Sequence, residues 1–161
     1  MATSRSLTVT YLVHDVMADL SDPDRELVQE ATSAAARAYA PYSRFHVGAA
    51  LRLATGEVMS GNNQENASFP AGICAERTAL HAAMSGHPQG VVTTMAIVVP
   101  SVSGDRPVSP CGICRQALLE QEHRQRSTIR LLMATSSGTI HELERSGDLL
   151  PLSFDASFLN P

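Results

Sequence analysis

The residues best suited to chemistry are the three cysteines of the chain, which fall in two short motifs. Cys74 precedes Glu76 by two residues, and Cys111 and Cys114 stand three residues apart directly after Pro110. Thiolates bind zinc, and a catalytic zinc site uses three protein ligands and keeps its fourth position for water, whereas a structural site closes with four. The pattern therefore predicts an open zinc site, with Glu76 placed to exchange protons with the bound water.

Helix N-termini are expected to position these thiols. Pro110 favours a helix start, so Cys111 and Cys114 should share one face in the first turn. Cys74 opens another helix in the same way. Because Cys74 and Glu76 would point to nearly opposite sides of a regular helix, Cys74 must occupy the non-helical cap position, or the zinc must lie off the helix end.

The charge of such a site needs compensation. Zinc with three thiolates is net negative, which weakens its ability to acidify a bound water. Two helix N-termini directed at the ion supply partial positive charge and favour the thiolate forms. Arg77 is the nearest cation in the sequence, and we expect it to offset the remaining charge.

Two other interpretations of the cysteines remain open. A Cys-x-x-Cys pair is often just a pair of small buried hydrophobic residues, although that explanation accounts for neither Glu76 nor Pro110. A closed structural site would need a histidine as its fourth ligand. Neither His46, on a predicted strand, nor His81, seven residues beyond Cys74, has the spacing of such a ligand.

Composition describes an ordinary globular chain and excludes several partners. The 161 residues match one domain in length, here residues 1–161 with residues 1–20 as an N-terminal extension, and no apolar run approaches the ~20 residues of a membrane helix. The net charge is -4 and the twelve cations, all arginine, are scattered, so no basic stripe favours nucleic acid. Three cysteines cannot pair completely, which favours the reducing cytoplasm, and residues 1–20 lack the features of a signal peptide.

Periodicity predicts alternating helices and strands. Helices are predicted from Asp22 to about Tyr39, from Cys74 to about Ser85 and from Pro110 to about His123; strands are predicted at Phe45–Leu53, Val58–Gly61, Met95–Val99, Ile129–Ala134 and Thr139–Leu143. The first two strands should form an antiparallel hairpin, and strands separated by helices should run parallel. We therefore expect an α/β protein, a three-layer α/β/α sandwich with a mixed five-stranded sheet, to which Thr8–Val13 could add an edge strand.

The motifs match a known family. The chain resembles the small zinc-dependent cytidine deaminases, whose homotetrameric form carries Cys-Ala-Glu-Arg-Thr-Ala and Pro-Cys-Gly-x-Cys-Arg-Gln; these stand here at residues 74–79 and 110–116. Residues 39–51, 61–68 and 149–154 continue the likeness, which covers about Asp22 to Phe154 and implies the fold of that family.

The resemblance implies a hydrolytic deaminase with one zinc ion per subunit. Cys74, Cys111 and Cys114 would bind the zinc, and Glu76 would act as proton shuttle. Glu76 would take a proton from the zinc-bound water, the hydroxide would attack C4 of cytosine, and Glu76 would protonate ring nitrogen N3 and then the leaving amine. Cytidine and deoxycytidine would give uridine and deoxyuridine plus ammonia, a reaction of pyrimidine salvage.

The resemblance also implies substrate contacts. Phe45 would stack on the pyrimidine, Asn63 and Glu65 would hold the ribose hydroxyls, and the backbone of Ala75 would contact the base. From the residue pattern alone, Phe45 could equally be a core residue of its strand, and the polar pair could be turn residues after the hairpin. Because Glu65 is acidic and no basic cluster lies close by, a nucleoside is favoured over a nucleotide.

Three further residues follow from the resemblance. Arg77 would hydrogen-bond the thiolates. Phe154 matches an aromatic residue that reaches a neighbouring subunit's site in the homotetramer, so neighbouring subunits would complete each active site, and Phe158 is a competing candidate for that role. No nucleic acid or membrane partner is expected.

Three rival functions stay open. A deaminase of the blasticidin S type is the main alternative among enzymes, although residues 65–68, Glu-Asn-Ala-Ser, favour cytidine. A zinc-dependent binding domain that has lost turnover is disfavoured by the intact Glu76. A nucleic-acid editing enzyme is disfavoured by the acidic charge balance and by Cys74, since nucleic-acid deaminases generally have His in that place.

Overall fold

A computed structural model describes residues 1–159 of the chain. The strands are β1 (Leu12–His14), β2 (Gly48–Leu53), β3 (Val58–Asn62), β4 (Val92–Val98), β5 (Arg130–Ala134) and β6 (Ile140–Leu143), and the helices are α1 (Asp22–Ala35), α2 (Ala75–Gly86) and α3 (Gly112–Gln125). Short 3-10 turns lie at Met17–Asp19, Phe69–Ala71, Ser146–Leu149 and Ala156–Phe158. The last two residues of the predicted domain, 160 and 161, lie outside the described residues.

The strands form one mixed sheet in the order β1-β6-β5-β4-β2-β3. The β2–β3 hairpin is antiparallel, and β4 and β5, which α3 connects, are parallel neighbours. Strands β3 and β4 also run in the same direction, with β2 antiparallel between them. These directions match the prediction, but the predicted count of five strands is wrong. A sixth strand, β1, pairs antiparallel with β6 at the edge, and it is shorter than the Thr8–Val13 segment suggested for it.

Helices cover both faces of the sheet, which confirms the three-layer α/β/α architecture. Helix α1 packs on one face and α2 and α3 on the other, so successive residues of β2 alternate between two cores. Ala50 faces α1, whereas Ala49 and Leu51 face α2 and α3. A Cβ atom at Gly48 would lie 1.8 Å from the carbonyl oxygen of Ala31. Glycine at this position therefore lets α1 lie directly on the strand.

Helix α1 ends earlier than its sequence pattern predicts. The helix stops at Ala35, four residues before Tyr39, because the chain beyond it pairs with a distant segment. The backbone N–H of Tyr39 donates to the carbonyl of Asn63, and the N–H of Glu65 donates to the carbonyl of Tyr39. Among residues 1–159, no helix combines the length and apolarity needed to cross a bilayer.

An ion-pair network on the α1 face links the extension to the rest of the sheet. Arg130 donates to Asp24 at 2.6 Å and to Glu142 at 3.0 Å. Arg52 lies 3.4 Å from the same Asp24 oxygen, and His14 of β1 contacts Glu142 at 2.7 Å. Because Asp24 is buried, its carboxylate depends on these partners for the interactions that water no longer provides.

We expect Asp24→Asn to lower the free energy of unfolding at pH 7 by about 1.5 to 3 kcal/mol, since it removes the charged acceptor of buried hydrogen bonds. Burial acts to raise the pKa of Asp24, but hydrogen bonds from Arg130 and Ser21 outweigh it and lower that pKa. The stabilisation is therefore complete above the unfolded carboxyl pKa of about 3.9 and is lost as the pH falls toward the lower folded-state value.

Urea unfolding between pH 3 and 7 measures both effects. The variant should lose stability at neutral pH and should show a weaker acid dependence than the wild type. Asp22→Asn is the matched control, because its side chain is 81% exposed in the same helical turn and should change stability little. Equal stability of Asp24→Asn and wild type at pH 7 would contradict the role of this network.

Candidate metal centre and active site

Two helix N-termini meet at the three cysteines. Cys74 is the N-cap of α2, with extended dihedral angles of φ -77 and ψ 156. This is one of the two arrangements that its spacing from Glu76 allows. Cys111 is the N-cap of α3, and Cys114 lies in the first turn of that helix. Pro110 therefore precedes the cap instead of occupying the first turn as predicted, and only Cys114 of the pair is helical.

The sulfur atoms have the separation that zinc requires. Cys74 Sγ lies 3.7 Å from Cys111 Sγ, which lies 3.5 Å from Cys114 Sγ, and all three sulfurs fall within 4.8 Å of one another. A tetrahedral zinc ion with Zn–S bonds of about 2.3 Å separates its sulfur ligands by about 3.8 Å. Within residues 1–159, no histidine or carboxylate joins this group. The donor set thus fits zinc with one position open.

The chain fixes both helix starts through close backbone contacts. A Cβ atom at Gly61 of β3 would lie 2.5 Å from the backbone nitrogen of Ala79, so glycine allows α2 to rest directly on the strand. Arg115 Nε donates to the carbonyl of Pro110 at 2.8 Å, and Arg115 Nη1 donates to the carbonyl of Leu149 at 2.9 Å. Arg115 thereby holds the segment before Cys111, a role that its place in the motif alone does not reveal.

Cys74 and Cys114 differ in acidity because they share a hydrogen bond. Hydrogen bonding from Cys114, with further contributions from Cys111 and Arg77, lowers the pKa of Cys74 to about 5 despite partial burial. The same bond to Cys74, together with burial and the charge of Glu76, raises the pKa of Cys114. Between these two thiols, negative charge therefore resides first on Cys74, and a bound cation favours ionisation of Cys114 as well.

Arg77 lies against this cluster. Burial opposes its charged form, but contact with Cys114 and Cys74 and their negative charge raises the pKa of the guanidinium. Its Nε atom is buried and has no hydrogen-bond partner within residues 1–159. The structure thus places a permanent positive charge beside two of the three sulfurs, where the sequence predicts a compensating cation.

Glu76 is buried next to the thiols, in the first turn of α2, with only 5% of its surface exposed. Burial raises the pKa of its carboxyl, and the charge of Cys74 adds to this, while hydrogen bonding from its own backbone N–H and from Cys114 acts in the opposite direction. A carboxyl group with a raised pKa gains and loses a proton closer to neutral pH. Glu76 therefore has the environment of a proton-transfer group.

A cavity of about 400 Å³ opens beside the metal centre, a volume within the range of small-molecule sites. Its lining includes Asn63 and Glu65 from the predicted substrate contacts, Cys74 and Arg77 from the metal centre, and Ile113 of α3. Four of the predicted site residues, from distant parts of the sequence, thus line one cavity. Its lining residues do not include Ala75, Glu76, Cys111 and Cys114.

Phe45 does not line this cavity in the described chain, although its backbone carbonyl accepts a hydrogen bond from Asn63, which does. The residue is 39% exposed, so it is not a core residue. Strand β2 begins at Gly48 and not at Phe45 as predicted, because the side chain of Asn63 binds the intervening backbone. Asn63 Oδ1 accepts from the N–H of Val47 at 2.8 Å, and Asn63 Nδ2 donates to the carbonyl of Phe45 at 2.9 Å.

Glu65 holds the preceding turn. Its Oε2 accepts from the backbone N–H groups of Tyr42 and Ser43 at 2.8 and 3.3 Å, and its Oε1 accepts from Ser43 Oγ at 2.5 Å. Both interpretations of the polar pair therefore have structural support, since Asn63 and Glu65 line the cavity and also organise a turn. The sequence gives no separate sign of a role for Ser43 beyond its place two residues before Phe45 in the matched segment.

The two C-terminal aromatic residues lie outside the cavity of their own chain, as far as residues 1–159 define it. Phe154 and Phe158 stack with ring centroids 5.8 Å apart, and both are largely exposed. The carbonyl of Phe154 accepts from Gln116 Nε2 of α3 at 3.1 Å. The pair is thus held near the helix that carries Cys114, with its rings turned to solvent.

Comparison with known proteins gives a consistent result. The family model for the cytidine and deoxycytidylate deaminase zinc-binding region matches residues 21–129. A cytidine deaminase of Halalkalibacterium halodurans is 43% identical over 138 residues, which cover 85% of this chain and 98% of that protein. A blasticidin-S deaminase of Bacillus cereus is 36% identical over 104 residues, covering 62% of this chain and 74% of the relative.

A solved structure agrees with these sequence matches. The crystal structure of cytidine deaminase from Burkholderia pseudomallei superposes with a TM-score of 0.72 and 38% sequence identity, covering 80% of this chain and 97% of that one. The family match includes Cys74, Glu76, Cys111 and Cys114, the residues of the open thiolate site. The chain belongs to the family defined by the cytidine and deoxycytidylate deaminase zinc-binding region.

Proposed function

We propose that the protein is a cytidine deaminase that hydrolyses cytidine and deoxycytidine to uridine and deoxyuridine plus ammonia, within pyrimidine salvage. The observation that carries the proposal is the open three-thiolate site beside the buried Glu76, at the edge of a cavity large enough for a small molecule. Relatives of similar length, such as the one from Halalkalibacterium halodurans, bear the same name.

Glu76 moves the protons in the proposed mechanism. Cys74, Cys111 and Cys114 would hold one zinc ion, which would supply the Lewis acidity that makes a water molecule acidic and nucleophilic. Glu76 would accept one proton from that water and deliver it to N3 of cytosine as the water oxygen bonds to C4. It would then take the second proton, from the hydroxyl now on C4, and give it to the amino group, which leaves as ammonia when the C4–N bond breaks. The raised pKa of Glu76 suits a group that must hold and release a proton in turn.

Arg77 and the two helix N-termini balance the charge of the site. Three thiolates would otherwise leave the metal centre net negative and weaken its effect on the water. We assign Arg77 the role of hydrogen-bonding the thiolates, on the basis of its contact with Cys114 and Cys74. The N-termini of α2 and α3 add partial positive charge at the same point.

The assigned substrate contacts use hydrogen-bonding capacity that remains free. A carboxylate has about four lone-pair sites. Three protein donors occupy three of these sites on Glu65, and the fourth remains for a sugar hydroxyl. Asn63 retains one N–H and one lone pair in the same way. Phe45 would stack on the base, and the backbone of Ala75, in the unpaired first turn of α2, would contact it.

A nucleoside suits this cavity better than a nucleotide. Glu65 contributes negative charge to the lining, and Arg77, the cation in the lining of the described chain, lies against the thiolates. A phosphate group would therefore face a carboxylate without a free cation to bind it.

The proposal extends to assembly and location. Residues 1–161 would act as one catalytic domain, with residues 1–20 as an extension, and the active enzyme would be a homotetramer. Phe154 would complete the site of a neighbouring subunit, because its ring is exposed and lies outside its own cavity. Three thiols without a disulfide among the described residues suit the reducing cytoplasm.

One substrate panel tests the function. Zinc content is measured first, and ultraviolet absorbance then follows conversion of cytidine, deoxycytidine, cytosine, CMP and blasticidin S. Cytidine and deoxycytidine should be converted, with cytosine and CMP slower by at least about 100-fold because the contacts to the sugar are lost or opposed. Sedimentation equilibrium on the same sample should give four times the chain mass. Zinc-loaded protein that converts only blasticidin S would favour the related deaminase, and protein that converts nothing would exclude both.

A further inference from the structure

The hydroxyl group of Ser43 connects two parts of the proposed substrate site. Ser43 Oγ donates to Glu65 Oε1 at 2.5 Å and accepts from the backbone N–H of Phe45 at 3.0 Å. One atom thus bridges the carboxylate assigned to the sugar and the backbone of the residue assigned to the base. Neither function was attributed to Ser43 from the sequence.

The backbone of Phe45 is held from both sides. Its N–H is bound by Ser43 Oγ, and its carbonyl is bound by Asn63 Nδ2 at 2.9 Å. Arg44, between Ser43 and Phe45, has a φ of 57. This is a left-handed conformation that a non-glycine residue adopts only when its surroundings impose it. The position of the Phe45 ring therefore depends on the contacts that fix this turn.

The orientation of Glu65 depends on the same hydroxyl. The hydrogen bond from Ser43 is the main reason that the pKa of Glu65 is lowered, so the carboxylate remains ionised as an acceptor. With Oε2 bound to the backbone N–H groups of Tyr42 and Ser43, the bond to Ser43 Oγ fixes the rotation of Oε1. That bond therefore decides where the remaining acceptor site of Glu65 points.

We propose that Ser43 is a positioning residue that couples recognition of the sugar by Glu65 to placement of Phe45 against the base. The proposal rests on the nucleoside deaminase function proposed above. A substrate hydroxyl that binds Glu65 strengthens the arrangement that also orders the turn carrying Phe45. Substrates without that hydroxyl do not benefit from the coupling.

The test uses Ser43→Ala in the zinc-loaded, full-length protein. We expect KM for cytidine to rise about tenfold, which is the effect of one lost hydrogen bond to a charged group, with kcat changed less than about threefold and zinc content unchanged. For 2′,3′-dideoxycytidine, which lacks the 2′- and 3′-hydroxyls and keeps only the 5′-hydroxyl, KM should change much less. A general structural defect would raise KM for both nucleosides alike and would overturn the proposal.

Further variants test whether the hydroxyl group itself is responsible. Ser43→Thr retains the hydroxyl and should restore a KM near that of the wild type. Ser33→Ala is the matched control, because Ser33 is exposed on α1 and its hydroxyl donates to the carbonyl of Gln29 in the same helix. In a double-mutant cycle with Glu65→Gln, the effect of Ser43→Ala on KM should shrink, since the two residues share one interaction.

Each outcome separates the coupling from the underlying function. Wild-type protein that fails to convert cytidine refutes the deaminase function itself. Active wild type with an unchanged KM in Ser43→Ala, or additive effects in the cycle, refutes the coupling alone. Ser43→Gly is the second variant without a hydroxyl, and loss of fold or zinc in both Ser43→Ala and Ser43→Gly would also overturn a positioning role.

Discussion

Glu76→Gln is expected to lower kcat for cytidine by at least about 10³-fold while zinc content and thermal stability stay near those of the wild type. General acid–base catalysis contributes roughly 10²- to 10⁴-fold, and Glu76 is assigned more than one proton transfer, so the loss should lie toward the upper end of that range. Glutamine matches the shape of glutamate but neither accepts nor releases the required proton. KM should change far less than kcat, because Glu76 transfers protons in the transition state and contributes little to binding of the nucleoside.

The experiment combines steady-state kinetics with a zinc assay on the same protein. Glu120→Gln is the matched control, since Glu120 is exposed on α3 and should leave both parameters unchanged. A Glu76→Gln variant that retains more than about a tenth of wild-type kcat would remove Glu76 from the mechanism. Such a result would leave the metal site intact and would require another proton carrier.

Much of the fold could be predicted because local patterns determine it. The positions of the three main helices and five of the strands follow from periodicity, and the cap position of Cys74 is one of the two arrangements that its spacing to Glu76 allows. The end of α1 depends instead on long-range pairing of Tyr39 with the segment around Glu65. Strand β1 has three residues, mostly exposed at the edge of the sheet, so periodicity alone does not define its bounds.

The candidate site likewise has one part that local sequence patterns predict and one part that they do not. The metal centre was predictable because its ligands occur in two compact motifs whose helices necessarily present them at their N-termini. The turn that carries Phe45 was not predictable, because side chains from a different segment determine its conformation. Asn63 binds the backbone on one side, and Glu65 binds Ser43 on the other. Polar residues in a loop have no periodicity, so their partners become apparent only in three dimensions.

The negative charge of the thiolates makes the stability of the fold depend on the metal centre. Cys114 is fully buried, and its pKa is raised by its bond to Cys74, by burial and by nearby negative charge. Its thiolate form therefore requires compensation that Arg77 alone does not provide, because the same guanidinium also faces Cys74. A zinc ion supplies that charge, and its binding free energy adds to the stability of the two helix N-termini that hold it.

Cys114→Ala should therefore remove both the metal and the activity. Zinc content is expected to fall from one ion per chain to below about 0.1, kcat to fall by at least about 10³-fold, and Tm to fall by about 10 °C as the stabilisation by bound metal is lost. Chelation of the wild type should reproduce these effects, and added zinc should reverse them in the wild type but not in the variant. Glu76→Gln completes the comparison, because it should lose turnover and keep its zinc. If Cys114→Ala instead retained a full zinc complement and turnover, the three-thiolate assignment would be wrong, and the low pKa of Cys74 would need a different function.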